Sequence, residues 1–463
     1  MKIKDLIKQD AGFQYIVDSM EFMSSAGRRT MLNTEFCPDA ATLTREWNRL
    51  DHAIEVVKKF KYKKPYIELR HCLMQLHDLQ GTLASLSNHT PLNEVELFEI
   101  KNLAHLSRIA SGTISDLKLS EILPLPDTLE VFSLLDPDHT GIANFYIYDS
   151  YDDRLTPLRR ELKTLQEHDG DPGRISQLLA EQSDIQNRIC TQLSDRLHPW
   201  TETLVTTMEQ MAYADFLLAK AELSIQWELT RPEIGEHTEY KALVNPRLKE
   251  RNEARKLRYQ PVDVTLHPGI TLITGANMAG KTVLLKSVGT AQIMAQCGMY
   301  VPASMAVIRL VQDVITSIGD EQDEMNGLSS YAAEILKISD ILAACRQKEL
   351  LVLIDEPART TNPIEGKALV QSIIKILNAL NSTTLITTHY SGLGGGEFCR
   401  LRVKGFVENM ADVPLTPQNI NHFIDYSLTE DNGDDVPHEA LRIASILGCD
   451  SEMIDLARQN IRL

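Results

Sequence analysis

The chain has 463 residues, 43% of them apolar, and a net charge of −17 from 47 basic and 64 acidic side chains. That length outgrows a single hydrophobic core and calls for two or three domains, and no apolar run reaches the roughly 18 to 20 residues that span a bilayer. The acid excess argues against a free-standing binder of duplex DNA, whose affinity comes mostly from neutralised phosphates, although a local basic patch is compatible with it.

The opening stretch MKIKDLIKQDAGFQYIVDSM mixes charged with apolar residues and lacks the continuous apolar centre of a signal peptide, so a cytoplasmic location is expected. Seven scattered cysteines without a C-x-x-C pair argue against a disulfide framework and a zinc site. In KKFKYKK, residues 58–64, lysines alternate with aromatics. A solvated face is the favoured reading there, and a nucleic-acid contact the sharper one. Leu73, Leu76, Leu79 and Leu83 recur at spacings of three and four, as do Leu97, Ile100, Leu103 and Leu106, which marks helix faces. The island 123–153 follows, rich in proline and aspartate, with a β-prone run at 145–148.

Leu155, Leu158, Leu162 and Leu165 then predict one helix, and Ile175, Leu178, Ile185, Ile189 and Leu193 a second. Gly170, Pro172 and Gly173 break the chain between them. The pair reads as two packed helices or as a protruding antiparallel coiled coil. A long helix over about 201–229 should end at Pro232. Beyond residue 240 short apolar runs at 270–274, 314–318, 350–354 and 384–387 alternate with helical patterns, the rhythm of a mostly parallel α/β sheet. A second basic stretch, RLKERNEARKLR at 247–258, also reads as a solvated face. The expected division is a helical domain over 1–240, with the hairpin at about 150–195, and an α/β domain over 241–463.

Gly275, Gly280, Lys281 and Thr282 fit G-x-x-x-x-G-K-[ST] between a strand and a helix. The glycines let backbone N–H groups surround phosphates, Lys281 reaches the β and γ oxygens, and the Thr282 hydroxyl can ligate Mg²⁺. In ELLVLIDEPA a buried strand ends in two acids. Asp355 would hold Mg²⁺ and Glu356 would polarise the attacking water as general base. In TTLITTHY another strand leads to His389, placed to sense the γ-phosphate or to hold the water. ATP with Mg²⁺ and its hydrolysis are therefore expected.

These segments resemble the MutS family, relatives of the ABC ATPases. ITGANMAGKT looks like the family's I-T-G-P-N-M-G-G-K-S, and AQCGMYVPA like its A-Q-x-G-x-[FY]-V-P-A. The segments at 316–335, LVLIDEPARTT and TTHY are similar to further family blocks, and the match runs from about residue 70 onward. The resemblance implies a helical core and lever with a coiled-coil clamp, followed by a P-loop α/β ATPase domain of the ABC/MutS type. It implies a dimer, either a homodimer or a heterodimer with a related chain, with nucleotide sandwiched between subunits. Ser329, just after Gly327, matches the signature serine that contacts the partner's γ-phosphate, and Glu334 matches the acid on the same helix. Ala276, Asn277, Met278, Ala279 and Val283 fall within the phosphate loop and its helix, and Tyr259 falls where the family stacks a residue on adenine.

The sequence departs from the family at Ala276 and Ala279, which replace Pro and Gly, and at residues 357–360, where Pro-Ala-Arg-Thr stands for Gly-Arg-Gly-Thr. The N-terminal region has no F-x-E wedge of the kind mismatch sensors carry. Two clients follow as alternatives. One is nucleic acid, gripped by an ATP-driven clamp related to mismatch repair but not itself a mismatch sensor. The other is a protein, as for reactivating factors of adenosylcobalamin-dependent lysine or ornithine aminomutases.

Overall fold

A computed structural model describes residues 1–168, 170–275, 280–319, 330–390, 392–393, 398–406, 423–431, 441, 444 and 448–461. The helices α1 (Ile3–Gln9), α2 (Ala11–Asp18), α3 (Ser25–Asn33), α4 (Ala40–Lys58), α5 (Lys63–Met74), α6 (Gln80–Ser87), α7 (Glu94–Asp116) and α8 (Leu129–Leu134) open the chain. They are followed by α9 (Leu155–Glu167), α10 (Pro172–Leu197) and α11 (Thr201–Gln226). Then come β1 (Glu233–Ile234), β2 (Thr238–Leu243), α12 (Pro246–Ala254), β3 (Val262–Leu266), β4 (Gly269–Thr274) and α13 (Lys281–Gln296). The rest is β5 (Met305–Ile308), β6 (Asp313–Ser317), α14 (Ser330–Cys345), β7 (Leu350–Asp355), α15 (Pro363–Asn378), β8 (Thr383–Thr387), β9 (Cys399–Phe406), β10 (Ile424–Glu430) and a last helix, Ser451–Ile461. No described helix is long and apolar enough to cross a membrane.

The chain divides into two compact units. One, residues 20–33 and 49–222, is helical. Its α7 starts with a reciprocal cap, in which the Asn93 side chain accepts from the Glu96 amide and the Glu96 carboxylate accepts from the Asn93 amide. Asp215 of α11 closes the start of α3 by accepting from the Met23 and Ser24 amides and the Ser24 hydroxyl, at 3.0, 2.8 and 2.7 Å. That approach needs glycine at position 27, where a Cβ would lie 2.2 Å from Asp215 Oδ2. The helices α9 and α10 appear as the leucine spacing predicts. Asp171 caps α10, Pro172 opens it, and Arg174 pairs with Glu161 of α9 at 2.9 Å.

The island after α7 is organised by a buried cation. Lys101, fully shielded from solvent, donates to Asp136 Oδ1 at 3.0 Å, to the Asn144 carbonyl at 2.9 Å and to the Tyr148 hydroxyl at 3.0 Å. The β-prone run 145–148 forms no strand. Tyr148 instead turns into the helical core to meet this ammonium, because ammonium desolvation is offset only when all its donors are satisfied.

The other unit comprises residues 1–19, 34–48 and 223 onward. Its main sheet has the order β10-β9-β4-β8-β7-β6, parallel except for the β10–β9 pair. A smaller sheet runs β1-β5-β2-β3. Strand β7 is buried on both faces. Val352 and Ile354 join Ile338 and Ile341 of α14 and Val370 and Ile374 of α15, whereas a Cβ at Gly289 of α13 would lie 2.8 Å from Leu353 Cδ1. The alternation of a strand therefore puts α13 on one face and α14 with α15 on the other.

Two sequence expectations shift. The long helix stops at Gln226, with Glu228 in the left-handed region (φ +52°) and the Leu229 amide bonded to the Ser224 carbonyl at 2.9 Å. This turn, and not Pro232, ends it. The break expected near residue 240 lies instead at 222/223, and the first helices belong with the α/β unit. Asp10 accepts from Thr290 Oγ1 of α13 at 3.1 Å, the Cys37 amide donates to the Gln296 carbonyl at 2.8 Å, and Gln296 Nε2 donates to the Cys37 carbonyl at 2.9 Å. A helical spacing shows that a face is buried but not what buries it.

The Lys101 cluster sets a stability test. Burial would raise the Asp136 carboxyl, but hydrogen bonds from Thr140, the Gly141 amide and Lys101 outweigh it and hold the pKa at about 2. A carboxylate depressed in this way contributes fully above the ordinary carboxylate range, and the contribution is lost as pH falls through about 2. Asp136→Asn strands the ammonium, so urea unfolding followed in the helical unit should show a loss of about 3–5 kcal/mol. The variant should also lack the acid-induced step.

Candidate nucleotide site

Strand β4 delivers the chain to Gly275, whose φ of +140° only glycine holds without strain. Gly280, at φ +77°, precedes α13, and a Cβ there would lie 3.0 Å from Tyr426 Cδ1. Ala276, Asn277, Met278 and Ala279, between the two glycines, lie outside the described residues. Helix α13 has no side-chain cap, so its first N–H groups and the positive end of its dipole stand behind the loop.

Lys281, with only 5% of its side chain exposed, donates to the Gly275 carbonyl at 2.7 Å and stands 3.2 Å from Glu356 Oε1. Thr282 Oγ1 donates to Asp355 Oδ2 at 2.6 Å, and Thr387 Oγ1 donates to Asp355 Oδ1 at 2.5 Å. The Glu356 amide donates to both the carbonyl oxygen and Oγ1 of Thr387, each at 3.1 Å. Its other carboxylate oxygen lies 3.8 Å from Arg359. The acid pair and the phosphate loop, far apart in sequence, thus meet at the carboxyl ends of β4 and β7, where open α/β sheets bind ligands.

The turn after Asp355 is unusual. Glu356 (φ +46°) and Ala358 (φ +58°) both occupy the left-handed region, at about 1–3 kcal/mol each. Glu334 of α14 accepts from the Ala358 amide at 2.9 Å, and the Tyr390 hydroxyl donates to the Ala358 carbonyl at 2.9 Å, so contacts from two sides hold the turn. The acid Glu334, matched by resemblance, acts here on the turn that carries Glu356. Ser329 and Gly327 lie outside the described residues. His389 is exposed, with its ring 4.4 Å from that of Tyr390. The structure brings it to the same end of the sheet without a hydrogen bond to Glu356.

Beside the loop lies a cavity of about 200 Å³ lined by Tyr259, Val262, Gly280, Val283, Leu284 and Tyr426, among others. The Tyr259 hydroxyl accepts from the Asn245 amide at 2.6 Å, which fixes the ring, and burial raises its pKa. Sequence reasoning found Tyr259 and Val283 but missed Tyr426 and Thr387. Tyr426 arrives on an antiparallel edge strand with no motif around it, whereas Thr387 stands inside the TTHY block, two residues before the histidine. A cationic loop, a hydroxyl converging on a carboxylate and a mainly apolar cavity fit a nucleoside triphosphate with Mg²⁺.

Residues 271–462 match the family described as MutS domain V. A Symbiobacterium thermophilum protein named Endonuclease MutS2 is 36% identical over 234 residues, 49% of this chain and 28% of that protein. The Thermus thermophilus protein of the same name is 27% identical over 394 residues, 77% of this chain and 50% of that protein. A third, from Carboxydothermus hydrogenoformans, is 30% identical over 287 residues, 61% of this chain and 35% of its own length. The chain thus spans half or less of the length of these relatives. The strand, loop and acid pair assembled above fall within the segment that matches MutS domain V.

Proposed function

We propose that the α/β unit binds ATP with Mg²⁺ and hydrolyses it, and that the protein works in the cytoplasm as a dimer coupling turnover to a conformational change. The observation that carries this reading is the convergence of Lys281, Thr282, Asp355 and Glu356 within 2.6 to 3.2 Å contacts. In this reading Lys281 and the α13 N–H groups hold the phosphates, and Thr282 and Asp355 hold Mg²⁺. Glu356 orients and deprotonates water, with His389 beside it. Tyr259 and Tyr426 enclose the base, and Ala276, Asn277, Met278 and Ala279 complete the loop. Ser329 of a second subunit completes each site, as the family resemblance implies, in a homodimer or with a related chain.

The client proposed is nucleic acid, supported by relatives that are named endonucleases. Those relatives give no support to an aminomutase client.

Glu356→Gln should bind ATP yet hydrolyse it about 10²- to 10⁴-fold more slowly, the range for losing a general base. Filter binding beside phosphate release measures both, and normal turnover would remove Glu356 from this role. Thr387→Val keeps the strand but deletes one hydroxyl from Asp355. Turnover should fall about 10- to 100-fold, as for other residues that orient a metal ligand, with a matching rise in the Mg²⁺ needed for half-maximal rate. Mixing Ser329→Ala subunits with Lys281→Ala subunits should restore part of the activity that each lacks alone, because one of the two shared sites is then whole. A mixture as inert as its components would count against trans assembly.

A further inference from the structure

The run 58–64 forms the corner between α4 and α5. One turn of 3-10 helix, Phe60–Tyr62, makes the bend and buries none of its residues. Phe60 is 85% exposed, more than any other large apolar side chain among the described residues. Lys58, Lys59, Lys61, Lys63 and Lys64 are all exposed around it. Lys59 pairs with Glu55, and Lys64 stands 3.8 Å from Glu68. No salt bridge joins Lys58, Lys61 or Lys63 to a carboxylate among the described residues, although Lys61 stands close enough to Glu55 to help lower its pKa. Lys61 lies 4.5 Å from the Tyr62 ring centroid and Lys63 5.9 Å from that of Phe60.

No burial stabilises this turn. An aromatic ring in water forgoes burial. Lys63 and Lys64 open α5, which has no acid in its first turn and no side-chain cap, so two cations sit at the positive end of a helix dipole. In a chain of net charge −17, five lysines without an acid in seven residues reverse the prevailing sign. A ligand that is anionic and presents flat apolar faces would answer both features. One exposed ring is a slight anchor for a bilayer, but it is a complete platform for one base, and lysines on either side match the alternation of base and phosphate along a strand.

We propose that this corner is a contact site for single-stranded nucleic acid, with Phe60 stacking on an unpaired base and Lys58, Lys61 and Lys63 neutralising the adjoining phosphates. The inference rests on nucleic acid being the client, and adds the form of the strand and the surface that takes it.

The test uses the full chain, a fluorescent oligothymidylate of about 20 nucleotides, a duplex of the same length and phosphatidylserine vesicles. The wild type should bind the single strand. Phe60→Ala should weaken that binding about 5- to 150-fold, the effect of losing one base stack. ATP hydrolysis without nucleic acid and the circular dichroism spectrum should be unchanged, because the ring lies in solvent. The triple change Lys58→Ser, Lys61→Ser, Lys63→Ser should reduce the slope of log affinity against log salt by about 2. If the wild type binds nucleic acid and both variants bind it equally well, the corner is refuted while the nucleic-acid client stands. If the wild type binds neither oligonucleotide, both fall. If Phe60→Ala instead abolishes vesicle binding and leaves oligonucleotide binding intact, the corner belongs to a membrane and the proposal is overturned.

Discussion

Thr387 sets the alignment on which the candidate nucleotide site depends. Strand β8 lies between β4 and β7, and Thr387 is in register with Ile273 on one side and with Asp355 on the other. One residue therefore fixes how far the loop strand and the acid strand reach toward the ligand. Its carbonyl and hydroxyl receive the Glu356 amide, and its hydroxyl donates to Asp355. A slip of one residue in the β7–β8 pairing would turn Asp355 toward the opposite face and separate it from Thr282.

Around that ruler the site concentrates features that would be costly elsewhere. Lys281 and Glu356 are largely withdrawn from water, and their mutual attraction offsets desolvation only in part. Two left-handed residues, one on each side of Pro357, add strain, which the Glu334 and Tyr390 contacts hold in place. A stable fold needs none of this. The combination suits the hydrolysis proposed above, with the rigidity supplied by a β7 strand that is no more than 1% exposed from Leu350 to Ile354.

Much of this was legible in the sequence, and the exceptions have a common cause. The phosphate loop, the acid pair and the strands β4, β6, β7 and β8 are written in contiguous residues, because glycine dihedrals and apolar runs are local properties. The α9 and α10 helices were equally plain from leucine spacing. Three features were not: the attachment of the first helices to α13, the course of residues 145–148, and the placing of Tyr426 against Gly280. Each depends on which distant segment a side chain meets. The Tyr148 ring is drawn from strand-like sequence to Lys101 by an ammonium that needs a third acceptor. Tyr426 reaches the loop because Gln260 and Asp425 tie its strand to the 258–260 segment, with Gln260 Nε2 donating to Asp425 Oδ1 at 2.8 Å.

The joining of the N-terminal helices to α13 bears on how this protein can be dissected. Asp10, Cys37 and the backbone bonds between residues 1–3 and 34–36 make the first segment a side wall of the α/β unit. A fragment cut at residue 223 would bare the flank of α13 that α2 covers and remove Asp10 from Thr290 and Cys37 from Gln296. Chain order suggests such a cut, yet the compact unit around the phosphate loop is discontinuous, gathered from three separate stretches of the gene.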